Sequence, residues 1–197
     1  MDSKDAISKQ VELLRNGYNI LKYPNCVERM CVECDLENMK FADRNELGYA
    51  NINFEHLGIP EPFHRASIIG FPTNKGPIWY LVDPTYGQFF ENEKFKNYMF
   101  KNHKDFSDEL LDKGFIECNL SNILNYINGF IFSNAFTSNI NVEEVYNNIE
   151  NLLVSNKIIN NDLNNLHKRL IELLHLRKNI LYTSKYSNEL LKEQKSK

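Results

Sequence analysis

The sequence predicts an α+β fold in which helices surround one β-hairpin. A capped helix signal lies near residue 25, two β-rich runs lie at 65–71 and 78–82 around a turn-rich segment, and helical apolar spacing dominates from residue 142 onward. The chain has 197 residues, of which 42% are hydrophobic and 25% charged. This length and composition predict one domain, or one domain with an appendage, that buries a substantial core.

Two helices are predicted in the N-terminal part of the chain. Apolar residues at helical spacing predict the first over 3–15. Asn25 followed three residues later by Glu28 fits a capping box, so the second helix is predicted to begin at Asn25 and to end near Lys40. Cys26 would then lie in the first turn of this helix.

A connecting segment and a hairpin are predicted in the middle of the chain. Residues 41–63 are mixed in character and contain glycines and prolines, which predicts a connection with one short strand. If Phe71 pairs with Gly76 across the turn of the following hairpin, His64 lies opposite Asp83 at its open end. A shift of one or two residues in register would still leave these two side chains neighbours.

The C-terminal half is predicted to be helical. The segments with helical spacing are 107–113, 121–132, 142–155 and about 161–193. The last two are predicted to form a helical hairpin, an appendage at 136–197 packed on a domain of residues 1–135. Its apolar stripe is interpreted as a face docked on that domain, and the hairpin is also a candidate surface for a protein partner.

Charge and hydropathy disfavour two classes of partner. The chain carries 23 basic and 26 acidic residues, for a net charge of −3, whereas nucleic-acid-binding domains are usually basic. No apolar run approaches the ~20 residues of a membrane span, and the N-terminus lacks the pattern of a signal peptide. We therefore expect no nucleic acid and no membrane as partners, and a cytoplasmic protein or one exported without a cleaved signal peptide.

Three residues have the types and predicted positions of a thiol enzyme's catalytic set. Cys26 at a helix N-terminus would be stabilised as a thiolate by the unpaired N–H groups of the first turn. His64 would serve as the base and then as the acid, and Asp83 would fix its tautomer and orientation. The sequence thus predicts the catalytic residues Cys26, His64 and Asp83.

The residues around these three positions resemble a known family. The string from Trp79 to Thr85 resembles the W-x-x-x-D-P-T element of transglutaminase-like proteins, whose aspartate completes a Cys-His-Asp triad in a papain-like fold. Asn25-Cys26 and the segment 63–67 resemble the nucleophile and histidine regions, so the likeness spans about residues 20–90. Bacterial effector cysteine proteases and glutamine deamidases are the most similar in size.

The resemblance implies a fold and a reaction. The fold would be a papain-like or transglutaminase-like core, with a nucleophile helix packed on a small antiparallel sheet. The reaction would be cysteine-dependent amide hydrolysis or acyl transfer on a protein or peptide, through an acyl-thioester and without a cofactor. The substrate-facing walls are expected from the 41–63 segment and from the loop after Asp83.

Two other functions remain open. Cys26, Cys31 and Cys34, followed by Cys118, have the spacing of plant-type ferredoxin ligands, which would indicate a metal or iron–sulfur site. On one helix, however, Cys26 is turned about 140° from Cys31, so the thiols cannot all face one cluster. We interpret Cys31, Cys34 and Cys118 as buried packing residues. The second alternative is a catalytically inactive binding module with the triad fold.

Overall fold

The computed structural model describes residues 2–20, 28–136 and 140–159. Its α-helices are α1 (Ser3–Gly17), α2 (Glu28–Arg44), α3 (Phe54–Leu57), α4 (Glu93–Asn102), α5 (Lys104–Lys113), α6 (Leu120–Phe132) and α7 (Val142–Ser155), with a 3₁₀ helix at Tyr86–Glu91. Its strands are β1 (Gly48–Asn53), β2 (Arg65–Phe71), β3 (Ile78–Val82) and β4 (Phe115–Glu117). Helices and a separate antiparallel sheet confirm the predicted α+β class.

The strands form a four-stranded antiparallel sheet in the order β1-β2-β3-β4 within the described residues. Phe71 pairs with Ile78, so the predicted pairing of Phe71 with Gly76 is wrong by two positions. The turn spans residues 72–77 and begins and ends with proline. Proline lacks the N–H that a strand ladder requires, and these two prolines lie where the pairing stops.

Helices α1 and α2 lie against the sheet. Ile7 and Val11 of α1 pack with Ile69, Tyr80 and Val82 in one buried apolar cluster. Tyr80 and Val82 alternate along β3, as expected for a strand that packs one face against helices. Because α2 contacts mainly β2, its side chains reach the strand that begins next to His64.

An aromatic cluster fills the space between the 3₁₀ helix, α3, α4 and α6. Its buried members are Phe54, Tyr86, Phe89, Phe90, Phe95, Tyr126 and Phe130. Their rings meet mostly edge to face, with the centroids of Phe54 and Phe130 4.6 Å apart. The aromatic run after Asp83 therefore supplies core packing.

The tryptophan of β3 lies across the two neighbouring strands β2 and β1. Trp79 lies across Gly48 of β1 and Gly70 of β2, where a Cβ would lie 2.6 Å and 2.5 Å from the indole ring. Glycine at both positions gives the ring room to cross the sheet.

The predicted helix at 142–155 is confirmed by α7. It is anchored by a hydrogen bond from the Tyr146 hydroxyl to Asn128 Oδ1 of α6, 2.7 Å long. The predicted helix at about 161–193 lies outside the described residues, so the predicted helical hairpin stays a prediction. Among the described helices, none combines the length and apolar composition that crossing a lipid bilayer requires.

Candidate active site

His64 and Asp83 meet at the end of the hairpin formed by β2 and β3. His64 directly precedes β2 and Asp83 directly follows β3. His64 Nε2 lies 2.8 Å from Asp83 Oδ2, and both residues are 1% exposed. Because Ser67 pairs with Val82, the two are diagonal neighbours, a spacing that long side chains still bridge.

The Asp83 carboxylate accepts hydrogen bonds from residues both near and distant in sequence. Oδ1 accepts from the Thr85 backbone N–H at 3.0 Å and from the Thr85 hydroxyl at 2.8 Å. Oδ2 accepts from the Tyr126 hydroxyl at 2.7 Å in addition to His64. Burial opposes ionisation, but the charge of His64 and these hydrogen bonds hold the pKa of the Asp83 carboxyl below its usual range. Asp83 is thus held as an anion.

His64 is enclosed by aromatic rings. The rings of Phe54 and Phe89 stand edge-on to the imidazole, with centroids 5.2 Å and 4.7 Å away. Burial alone lowers the pKa of His64, but Asp83 and a hydrogen bond with the Cys31 thiol raise it to about 9. The buried Asp83 carboxylate therefore stabilises a charged imidazole, although the apolar enclosure opposes the charge.

The thiol that the structure places at His64 is Cys31. It is the fourth residue of α2 and is 1% exposed. Its side chain is hydrogen-bonded to His64, and this contact contributes to the raised pKa of the imidazole. Since His64 Nε2 is taken by Asp83, Nδ1 is the nitrogen that remains for the thiol. Cys31, His64 and Asp83 thus form a continuous series of contacts.

The other cysteines differ from Cys31. Cys26 lies outside the described residues, so its catalytic role stays a prediction. Cys34 and Cys118 are 2% and 7% exposed, and burial raises the pKa of both thiols, that of Cys118 to about 12. These two fit the predicted packing role. Cys31 is equally buried, but it also contacts His64, a contact that the packing interpretation lacked.

Gln88 links the imidazole to the Asp-Pro-Thr segment. Its side-chain amide nitrogen lies 3.3 Å from His64 Nδ1 and 3.3 Å from Thr85 Oγ1. Thr85 in turn donates to Asp83, so these four side chains close a ring of hydrogen bonds. The amide nitrogen of Gln88 can donate to Nδ1 only while Nδ1 is unprotonated, so in the charged imidazole the amide turns its oxygen to Nδ1 or moves away.

A second buried carboxylate anchors α2 one turn beyond Cys31. Asp35, 4% exposed, accepts hydrogen bonds from the hydroxyls of Tyr49 at 2.6 Å and Ser67 at 2.8 Å, and from the Asn51 amide. Asn38, a further turn along, donates to Ser67 Oγ at 3.1 Å. These contacts tie α2 to β1 and β2 and thereby fix the position of Cys31.

A groove lies beside the imidazole. It has a volume of about 540 Å³ and is lined by residues 60–63, 88, 89, 91, 92 and 136. Two of its lining residues, Gln88 and Phe89, contact His64 directly. The groove is thus built from the end of the segment 41–63 and from the chain after Asp83, the two regions expected to face a substrate.

The residues for a metal site are not gathered in the described part of the chain. Within residues 2–20, 28–136 and 140–159, no three histidine, cysteine, aspartate or glutamate side chains are arranged to hold an ion. The cysteine-cluster alternative also needs Cys26, which lies outside this part.

Comparison with protein-family models, with curated proteins and with solved structures found no match to this chain.

Proposed function

We propose that this protein is a cysteine-dependent amide hydrolase or acyl transferase acting on a protein or peptide, with Cys31 as nucleophile. The observation that carries the proposal is the buried pair of His64 and Asp83, 2.8 Å apart, with the Cys31 thiol beside the imidazole. Nucleophile, base and orienting carboxylate in contact are the arrangement that activates a thiol.

The chemistry follows from these contacts. His64 takes the proton from Cys31 Sγ, and the thiolate attacks the carbonyl carbon of an amide. The carbon–nitrogen bond breaks, His64 gives its proton to the departing amine, and an acyl-thioester remains. Water, activated by His64, or an acceptor amine then releases the acyl group and restores the thiol. Asp83 stabilises the imidazolium that forms at the first step.

The papain-like or transglutaminase-like core belongs to this proposal. It is supported by the order of helix, histidine strand and aspartate strand, with α2 packed on the antiparallel sheet. It is also supported by the Asp-Pro-Thr segment, because Thr85 donates twice to Asp83. Cleavage and glutamine deamidation share this chemistry and differ in the amide attacked.

Alkylation and turnover of the full chain test the proposal. Iodoacetamide labelling between about pH 5 and 9, mapped by mass spectrometry, should modify Cys31 faster than Cys34, which is equally buried on the same helix. Activity is read as peptide release from unfolded casein and as ammonia release from its glutamines. Cys31→Ser should abolish whichever activity is present, while Cys34→Ser should retain it.

The same experiment compares Cys31 with the sequence-predicted nucleophile. Loss of activity in Cys26→Ser with activity retained in Cys31→Ser would overturn the assignment of Cys31 and favour Cys26. Equal labelling of all four thiols, with no turnover of casein, would instead support an inactive binding module.

A further inference from the structure

We infer that the groove beside His64 binds an extended segment of a protein substrate in which an apolar or aromatic residue adjoins a basic one. The inference rests on the proposed function, because it names the substrate class of that site. It is drawn from what lines the groove, from the charges at its rim and from the contacts that connect it to the imidazole.

The groove presents aromatic rings to an incoming chain. Phe63, which is 37% exposed, Phe89 and Phe136 line it together with Pro60 and Pro62. An exposed phenylalanine in a concave site is a feature of surfaces that bind apolar side chains. The lining thus provides a place for one apolar or aromatic side chain.

The charges of the lining residues have one sign. Glu61 and Glu91 are both exposed, and the groove has no lysine, arginine or histidine among its described lining residues. Within the described part of the chain, neither carboxylate takes part in an ion pair. The nearby Arg65 lies over the Phe63 ring, 5.9 Å from its centroid, and does not line the groove. A basic side chain next to the apolar one complements this rim.

Two of the residues that line the groove also contact the imidazole of His64. Phe89 packs edge-on to His64, and Gln88 holds His64 Nδ1. Both of these residues also line the groove. A peptide lying in the groove is therefore separated from His64 Nδ1 by the side chain of Gln88.

Binding of three matched peptides tests the inference without turnover. Fluorescein-labelled decapeptides with a central Phe-Lys, Phe-Gln or Phe-Glu pair are titrated with the full-length Cys31→Ala chain at low salt, and anisotropy is recorded. The Phe-Lys peptide should bind at least tenfold more tightly than the Phe-Glu peptide. In the double variant Glu61→Gln/Glu91→Gln, the ratio of the affinities for the Phe-Lys and Phe-Glu peptides should fall below about threefold.

The control removes the same charge elsewhere. Glu12→Gln/Glu55→Gln alters two exposed carboxylates that do not line the groove and should keep the tenfold ratio. Equal binding of the three peptides, or an equal loss of preference in this control, would overturn the inference.

Turnover by the wild-type chain separates the two proposals. If Phe-Lys and Phe-Glu sequences are processed equally well, the inference fails while the proposed function stands. If the Phe-Lys peptide binds with the expected preference but the wild-type chain processes none of the peptides, the proposed function fails. The inference about which peptides the groove binds then still stands.

Discussion

Asp35 and Asp83 are two buried carboxylates whose pKa values are shifted in opposite directions. They are 4% and 1% exposed, and each accepts hydrogen bonds from a tyrosine hydroxyl and a neighbouring strand or loop. Burial raises the pKa of Asp35, and its hydrogen bonds offset this only in part. The pKa of Asp83 is lowered despite equal burial, because a charged imidazole faces it.

The difference shows that hydrogen bonds alone do not hold a buried charge here. Asp35 is surrounded by the neutral groups of Tyr49, Asn51 and Ser67, and the hydrogen bonds from Tyr49 and Ser67 favour its charged form more than the charge of Arg65 does. Asp83 has a partner of opposite charge at 2.8 Å. A structural anchor can remain close to neutral, whereas a residue that stabilises an imidazolium has to be ionised.

The largest expected effect is the loss of charge at Asp83. Asp83→Asn keeps the shape but leaves the buried His64 without a counter-charge, which should lower the free energy of unfolding by about 3–5 kcal/mol at pH 7. Urea unfolding measures this, and activity, where present, should fall with it. A change of less than about 1 kcal/mol would contradict the ion-pair assignment.

The pH dependence of stability should show the raised pKa of His64. Since this pKa rises from 6.5 to about 9 on folding, its contribution is fully present below pH 6.5 and is lost as the pH rises through about 9. The loss is on the order of 3 kcal/mol, from ~1.4 kcal/mol per pKa unit. Urea unfolding at pH 6 and at pH 9.5 measures this loss. The fall in the free energy of unfolding between the two pH values should be smaller in His64→Phe than in the wild-type chain. It should be unchanged in His56→Gln, whose side chain is exposed.

A smaller effect is expected from loss of charge at Asp35. Asp35→Asn removes a disfavoured anion but leaves one hydrogen-bond donor unpaired, so the free energy of unfolding should fall by about 1–2 kcal/mol at pH 7. Wild-type Asp35 stabilises the fold as the pH falls through its raised pKa, and the variant should lack this gain. Asp83 acts in the opposite sense, since its stabilisation is lost below about pH 4. Measuring the free energy of unfolding from pH 3 to pH 7 distinguishes the two effects.

The smallest effect is expected from deletion of single hydroxyls. Tyr126→Phe and Tyr49→Phe each remove one hydrogen bond to a buried carboxylate, of 2.7 Å and 2.6 Å. Tyr126→Phe should cost about 1.5–3 kcal/mol because its acceptor is charged, and Tyr49→Phe about 1 kcal/mol. Equal losses of stability in the two variants, measured by thermal unfolding, would mean that both acceptors carry the same charge.

The contact of His64 with Asp83 could be predicted because it depends on one hairpin. Both residues flank paired strands, so even a register error of two positions left them in reach. The error arose because Pro72 and Pro77 lengthen the turn to six residues, whereas the predicted pairing assumes a loop of four. Strand β4 was not predicted, since three residues carry too little pattern.

The role of Cys31 could not be obtained from helix periodicity alone. A buried cysteine next to Cys34 looks like packing, and periodicity does not say which end of a helix docks beside which strand. One signal was present: Cys31, Asp35 and Asn38 follow the 4-3 spacing of a single helix face. Polar residues on the buried face of a helix indicate a hydrogen-bond network rather than simple packing. Tyr126 joins the site from α6, 43 residues after Asp83, which no local pattern reveals.

Trp79 gives this chain a built-in optical probe. It is the one tryptophan in the sequence, and its ring is half-buried across Gly48 and Gly70, away from His64. Its fluorescence reports whether the strands remain assembled, independently of events at the imidazole. A variant that loses reactivity while its emission spectrum stays native has a chemical defect, and one that shifts to red emission has lost the sheet.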